Sequence, residues 1–292
     1  MPEALYKYMP YSTAEIVLTN QTLRWTTPAT LNDPYDIQFD LQIDLDRDKA
    51  LELTLDKLWR IINEQLQCNI DNPIAKLIPH LQAMYRHQPR DIFTQQMGKG
   101  IRESLAALDE KIIKTREETR ELLSTIKILC LTDSPTNQLM WAYYADSNRG
   151  AVLRFQDEPG ADSPYRMAKP MNYSPNLPAL FDEEGFSSLV SGLSRLDTLE
   201  IFEHLIYTKS NAWSHEREWR ICSGDGRNRQ APHEDLRFGA RELTGAIFGC
   251  RMPTAQRQTL INIIEKSYPH AEILQATPAG HSYSIELSRL EK

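Results

Sequence analysis

Between residues 46 and 127 the chain leaves the two-residue alternation of strands for the 3.6-residue repeat of helices, and after 127 it returns. Leu51, Leu55, Leu58, Ile61 and Ile62 recur at helical spacing, Pro73 is placed to open a second helix, and residues 101–126 are charged and helical throughout. A helical block lodged inside β-rich sequence is incompatible with a regular βαβ alternation. The expected fold is therefore α+β: one domain over 1–292 with a compact mixed sheet core and an all-helical insertion at 46–127. The 292 residues suffice for a full core, and 41% hydrophobic residues against 25% charged ones exclude a disordered chain.

Before the block, Leu5-Tyr6-Lys7-Tyr8 reads as a strand stopped by Pro10. Ser12 with Glu15 forms a capping-box pattern for a helix that Asn20 ends, and residues 22–27 alternate as a half-buried strand does. Asn32-Asp33-Pro34 is turn chemistry. After the block, strands are expected at 126–132, 150–155, 166–173, 218–223, 271–275 and 282–287. Helices are expected at 138–145, 183–193, 196–207 and 254–267.

Several function classes drop out. A net charge of −7 repels a phosphate backbone, so nucleic-acid contact would need a local basic patch. Four scattered cysteines (Cys68, Cys130, Cys222, Cys250) without a CxxC pair suit neither a disulfide frame nor structural zinc. No apolar run approaches the ~20 residues that span a bilayer, and the acidic start does not resemble an export signal. A cytoplasmic protein with no membrane contact is expected. No Walker A loop, GxGxxG, GxSxG or metal-spaced histidine pair is present.

Three segments carry chemistry. In Glu216-Arg217-Glu218-Trp219-Arg220, a strand would turn Glu216, Glu218 and Arg220 to one side. Neighbouring carboxylates raise each other's pKa while the arginine lowers it, so the cluster suits either acid–base work or a plain ion ladder. Asn32-Asp33-Pro34-Tyr35-Asp36, continuing to Asp40, Asp44, Asp46 and Asp48, reads as a structural Asx-turn or as an acidic cation loop. No metal ligand set is assigned. Trp141 and Tyr144 are three apart on a helix and form either core or a stacking wall, as do Tyr6 and Tyr8.

These segments, with Leu23-Arg24-Trp25, Cys130-Leu131-Thr132, Gly150, Lys209 and Trp213, resemble in order the bacterial family catalogued as domain of unknown function 2971. The resemblance runs from about residue 5 to 250, and the family name carries no activity. More distantly the chain resembles ADP-ribosyltransferases, which open with a strand contacting NAD and later place an E-x-E on a strand; Tyr6-Lys7-Tyr8 and Glu216-x-Glu218 fill those places. That resemblance implies NAD as substrate, Glu218 holding the ribose and Glu216 deprotonating a nucleic-acid or protein acceptor, in a toxin or phage-defence effector. Tyr6, Tyr8, Arg24, Trp141 and Tyr144 are the expected NAD contacts, the tyrosines of the first strand facing the cleft and Lys7 facing away. Two rivals stand beside it: a metal-dependent nuclease built on Asp33, Asp36 and Glu216, and a non-catalytic sensor whose charged helix at 103–121 contacts a protein partner.

Overall fold

The computed structural model describes residues 2–39, 45–179, 181–195 and 197–290. In chain order its elements are β1 (Leu5–Met9), α1 (Tyr11–Asn20), β2 (Thr22–Thr26), α2 (Arg47–Ile62), α3 (Ile78–Tyr85), α4 (Arg90–Ala106) and α5 (Leu108–Thr125). There follow β3 (Ile128–Thr132), α6 (Gln138–Tyr143), β4 (Ala151–Phe155), β5 (Lys169–Pro170), β6 (Asn172–Ser174), α7 (Glu183–Ser191), α8 (Thr198–Ile206) and β7 (Thr208–Ser210). The chain closes with β8 (Glu218–Cys222), β9 (His233–Arg237), β10 (Leu243–Phe248), α9 (Thr254–Ser267), β11 (Glu272–Pro278) and β12 (Ile285–Arg289). The protein is 44% helical and 21% strand around a large mixed sheet, an α+β composition. None of the described helices is long and apolar enough to cross a membrane.

The chain divides into two compact units. One comprises 1–38, 123–176 and 207–292; the other comprises 39–122 and 177–206. The helical unit thus draws on a second stretch of sequence as well as the expected insertion. Leu51, Leu55, Leu58, Ile61 and Ile62 are all buried on α2, as their spacing predicts. Lys57 is buried beside them, its ammonium donating to the Glu184 carboxylate at 2.6 Å and to Ser187 and Ser188 at 2.7 and 2.8 Å, which ties α2 to α7. The helix expected over 101–126 is two helices, α4 and α5, parted at Ala107.

The sheet unit is organised by strand alternation. Leu5, Met9, Leu153, Phe155, Leu129, Leu131 and Ile221 turn to one face, where α1 and α9 cover them with Val17, Leu18, Leu260 and Ile264. Tyr8, Val152 and Ile247 turn to the other and meet Trp141 and Ala145. The main strand path runs β12-β11-β10-β4-β1-β3-β2-β9, with β8 paired to β3 and β5 to β8. Only β10–β11 among these pairs is parallel. Ser12 and Glu15 lie inside α1 and do not cap it: Pro10 is the extended residue before the helix, and its carbonyl accepts the Ala14 amide at 3.0 Å. The strand expected over 166–173 is a helical turn at Pro164–Met167 followed by the short β5 and β6.

Candidate functional site

The sheet is split at its middle. β1 meets β3 at one residue pair, Tyr6 with Thr132, and β2 meets the same edge of β3 at Thr26 with Ile128, near its other end. Among the described residues, no strand pairs with the centre of β3 between them. A cleft of about 250 Å³ opens there, lined by β1, β2, β3 and α6 and floored by Asp36, Lys209, Glu216 and Glu218.

The floor is assembled from three separate segments. On β8, Glu218 and Arg220 lie opposite Thr132 and Cys130 of β3, so both side chains turn toward the cleft face. Glu216 is not on that strand, contrary to the sequence expectation. It ends the helical turn Asn211–Glu216, and Arg217, at a left-handed φ of 48°, redirects the chain so that the Glu216 carboxylate rejoins the cluster. Its carbonyl accepts the Thr132 hydroxyl at 2.7 Å, which fixes the turn. Asp36 comes from the Asn-Asp-Pro loop, where the Asp33 carboxylate accepts the Tyr35 amide at 2.9 Å as an Asx-turn does. Asp40 and Asp44 of the acidic run lie outside the described residues.

Lys209, on β7, joins these segments. Its ammonium donates to Glu216 at 2.5 Å and Glu218 at 2.7 Å and lies 3.6 Å from Asp36. Arg220 donates to both Asp36 oxygens at 3.0 and 2.8 Å and through Nε to Glu218 at 2.9 Å. All five side chains are buried. Three carboxylates against two cations leave the cluster one negative charge in excess when all are ionised. Burial alone would raise the Glu218 pKa, but Arg220 and Lys209 outweigh it and hold the carboxyl at about 2. Burial would lower Lys209 as well, yet Glu218, Glu216 and Asp36 raise it above its usual value. Glu218 is thus a permanent carboxylate and Lys209 a permanent ammonium at neutral pH.

Tyr144 stands over Glu216. Its hydroxyl donates to Glu216 at 2.5 Å and accepts from the Asn32 amide at 2.8 Å. Burial and then the Glu216 charge raise its pKa, so it remains a neutral phenol. Tyr6 lines the cleft as well. Tyr8 is mostly core: its ring is buried and its hydroxyl donates to the Ser134 carbonyl at 2.9 Å. Arg24 reaches the rim from β2, which is not bonded to β1, and is held by Asp235 at 2.9 Å.

Two expected positions need correction. Trp141 is fully buried, donates its indole N–H to the Pro135 carbonyl at 2.9 Å and packs edge-on to Tyr8 at 5.4 Å, so it supports the wall from behind and touches no ligand space. Lys7 does not face away: because β1 and β3 diverge, its ammonium crosses the gap to the Cys130 carbonyl at 2.6 Å. That carbonyl is the partner its part-buried ammonium requires. The Cys130 thiol, which lines the cleft beside Glu218, is pushed up to about 12 by burial and then by that carboxylate, so it is not a nucleophile.

The three residues of the nuclease alternative are engaged with other groups. Asp33 is spent on its turn, Asp36 is held by Arg220, and an ammonium occupies the point where the acids converge. Among the described residues no group of three or more His, Cys, Asp or Glu side chains is placed to hold a metal ion. Comparison with family models, curated proteins and solved structures finds no match to this chain.

Proposed function

We propose that the cleft binds NAD and that the protein is an ADP-ribosyltransferase-like enzyme acting on a nucleic-acid or protein acceptor. One observation carries the reading: Glu216 and Glu218 converge at the floor of a cleft opened by the split in the sheet, beneath Tyr6 and Tyr144. Breaking the nicotinamide–ribose bond sends its electron pair to the departing ring and leaves positive charge on the ribose. A preorganised carboxylate opposes that charge at no reorganisation cost. Glu218, ionised at all ordinary pH values, suits that role and is excluded from proton donation. Glu216 is bonded to a neutral phenol on one oxygen, and releasing Tyr144 frees that oxygen to take the acceptor's proton as the acceptor closes on the ribose. Lys7 and Arg24 set positive charge at the same cleft for a pyrophosphate.

A second reading has its own observation. Each oxygen of Glu216 and Glu218 is already hydrogen-bonded to Lys209, Arg220 or Tyr144. A network satisfied this fully also suits a non-catalytic nucleotide sensor. A thermal-shift scan with NAD and separately with Mn²⁺, paired with chromatographic detection of free nicotinamide, separates the cases. Stabilisation by NAD with nicotinamide release supports the enzyme, stabilisation without release supports the sensor, and stabilisation by Mn²⁺ alone overturns both.

A further inference from the structure

The cleft floored by Glu216 and Glu218 is small for the ligand assigned to it. At about 250 Å³ it falls below the roughly 300–1,000 Å³ of sites for drug-sized molecules, and a dinucleotide is larger than most of those. A second chamber of about 580 Å³ adjoins it. The two share Asn32 and Tyr144, and the remainder of the second chamber is Tyr143, Ala212, Trp213 and His215. Among the described residues its lining is therefore aromatic rings, the Ala212 methyl and one side-chain amide, with no carboxylate.

We propose that this second chamber is a stacking site for a nucleobase, with Tyr143 and Trp213 as its platforms and Asn32 reading the edge of the base. The inference rests on the NAD reading of the first chamber and extends it. Aromatic faces bind any base, and an amide has both a donor and an acceptor to offer its edge. Tyr143 is two-thirds exposed although it is an aromatic residue on a helix whose Trp141 neighbour is fully buried. The Lys209 ammonium lies 5.4 Å from the centre of the Trp213 ring, so that ring already serves one cation. Glu216 stands at the partition, bonded to the Tyr144 hydroxyl that both chambers share and adjacent in sequence to His215. A base in the second chamber therefore lies next to the carboxylate that would take an acceptor's proton. The base has two sources, the dinucleotide itself or a separate acceptor nucleotide.

The test is titration of AMP, NAD, a short single-stranded DNA oligonucleotide and an arginine-containing peptide into the full chain, followed by tryptophan emission and calorimetry. The variants are Tyr143→Ala, Trp213→Leu, Trp213→Phe and Glu218→Gln. AMP is expected to bind and quench emission. Tyr143→Ala should weaken it about tenfold or more, Trp213→Leu likewise and Trp213→Phe little. Tyr143 is exposed enough that its truncation leaves the fold intact, which circular dichroism checks. If Tyr143→Ala weakens NAD as much as AMP, the base is the dinucleotide's own; if it weakens the oligonucleotide and spares NAD, the base belongs to the acceptor. Absence of AMP and oligonucleotide binding at millimolar concentration, binding indifferent to Tyr143, or capture of the arginine peptide alone overturns the base site. NAD cleavage that needs Glu218 in the absence of any such binding would leave the first-chamber reading standing, and Tyr143-dependent AMP binding without NAD cleavage would do the reverse.

Discussion

Lys209→Met removes the ammonium that three buried carboxylates share, and its cost can be worked from the cluster. The distance from an ordinary glutamate value of 4.5 down to about 2 for Glu218 corresponds to about 3 kcal/mol of stability at neutral pH. Arg220 and Lys209 supply it together, and losing one partner of a buried ion pair costs roughly 3–5 kcal/mol. Because Arg220 stays in place, the lower end applies, and a loss of about 3 kcal/mol is expected at pH 7. The sign of the pH dependence follows from the lowered carboxyl. Its contribution is complete above 4.5 and disappears as pH falls toward 2, so the gap between wild type and variant should narrow in acid. Urea unfolding followed by tryptophan emission is the assay, since Trp25, Trp141, Trp213 and Trp219 lie in the sheet unit and Trp59 alone in the helical one. Adding Glu216→Gln returns the cluster to its original net charge and should recover part of the loss. A cost under about 1 kcal/mol at pH 7, or one equally large at pH 3, would refute the reasoning.

Other outcomes follow from the same geometry. Asp33→Ala should cost about 0.5–2 kcal/mol by freeing the Tyr35 amide it caps, read as a shifted urea midpoint, without changing any response to Mn²⁺. In the native protein a thiol reagent at pH 8 should modify the exposed Cys250 first and leave Cys130 untouched until unfolding, as mass spectrometry of the labelled peptides would show. Tyr144→Phe should spare the fold and leave any nicotinamide release undiminished, because the Glu216 oxygen that must be freed for the acceptor's proton then has no hydroxyl to release; a marked loss would count against that role of Glu216.

Much of the sheet was legible because half-buried strands write their alternation into the sequence: β1, β2, β4 and α9 stand within a residue or two of where periodicity puts them. β10 was not. Leu243-Thr244-Gly245-Ala246-Ile247-Phe248 is a central strand covered on both faces, so it lacks alternation, and Gly245 sits at the point where a Cβ would come within 3.1 Å of the Arg154 guanidinium. β9 was hidden for the opposite reason, its charges being those of an edge strand cross-paired with β2, with Asp235 holding Arg24. In the site, the carboxylate pair stood out from local sequence. Its assembly did not, because a left-handed residue at Arg217 sets the positions of Glu216 and Glu218, and Asp36 reaches Arg220 across 184 residues of chain. Lys209 entered only as part of a resemblance and was given no site role, although a lysine seven residues before Glu216 has the reach to balance an acidic pair.

The central claim is that an ionised Glu218 at the floor of the split sheet stabilises positive charge on the ribose of NAD. Nicotinamide release by wild type and by Glu218→Gln, measured side by side with far-ultraviolet circular dichroism on both proteins, tests it most directly. The account predicts turnover by wild type and a loss of about a hundredfold or more in a folded variant. Equal turnover by the two proteins, or no NAD binding and no nicotinamide release by wild type, would contradict it.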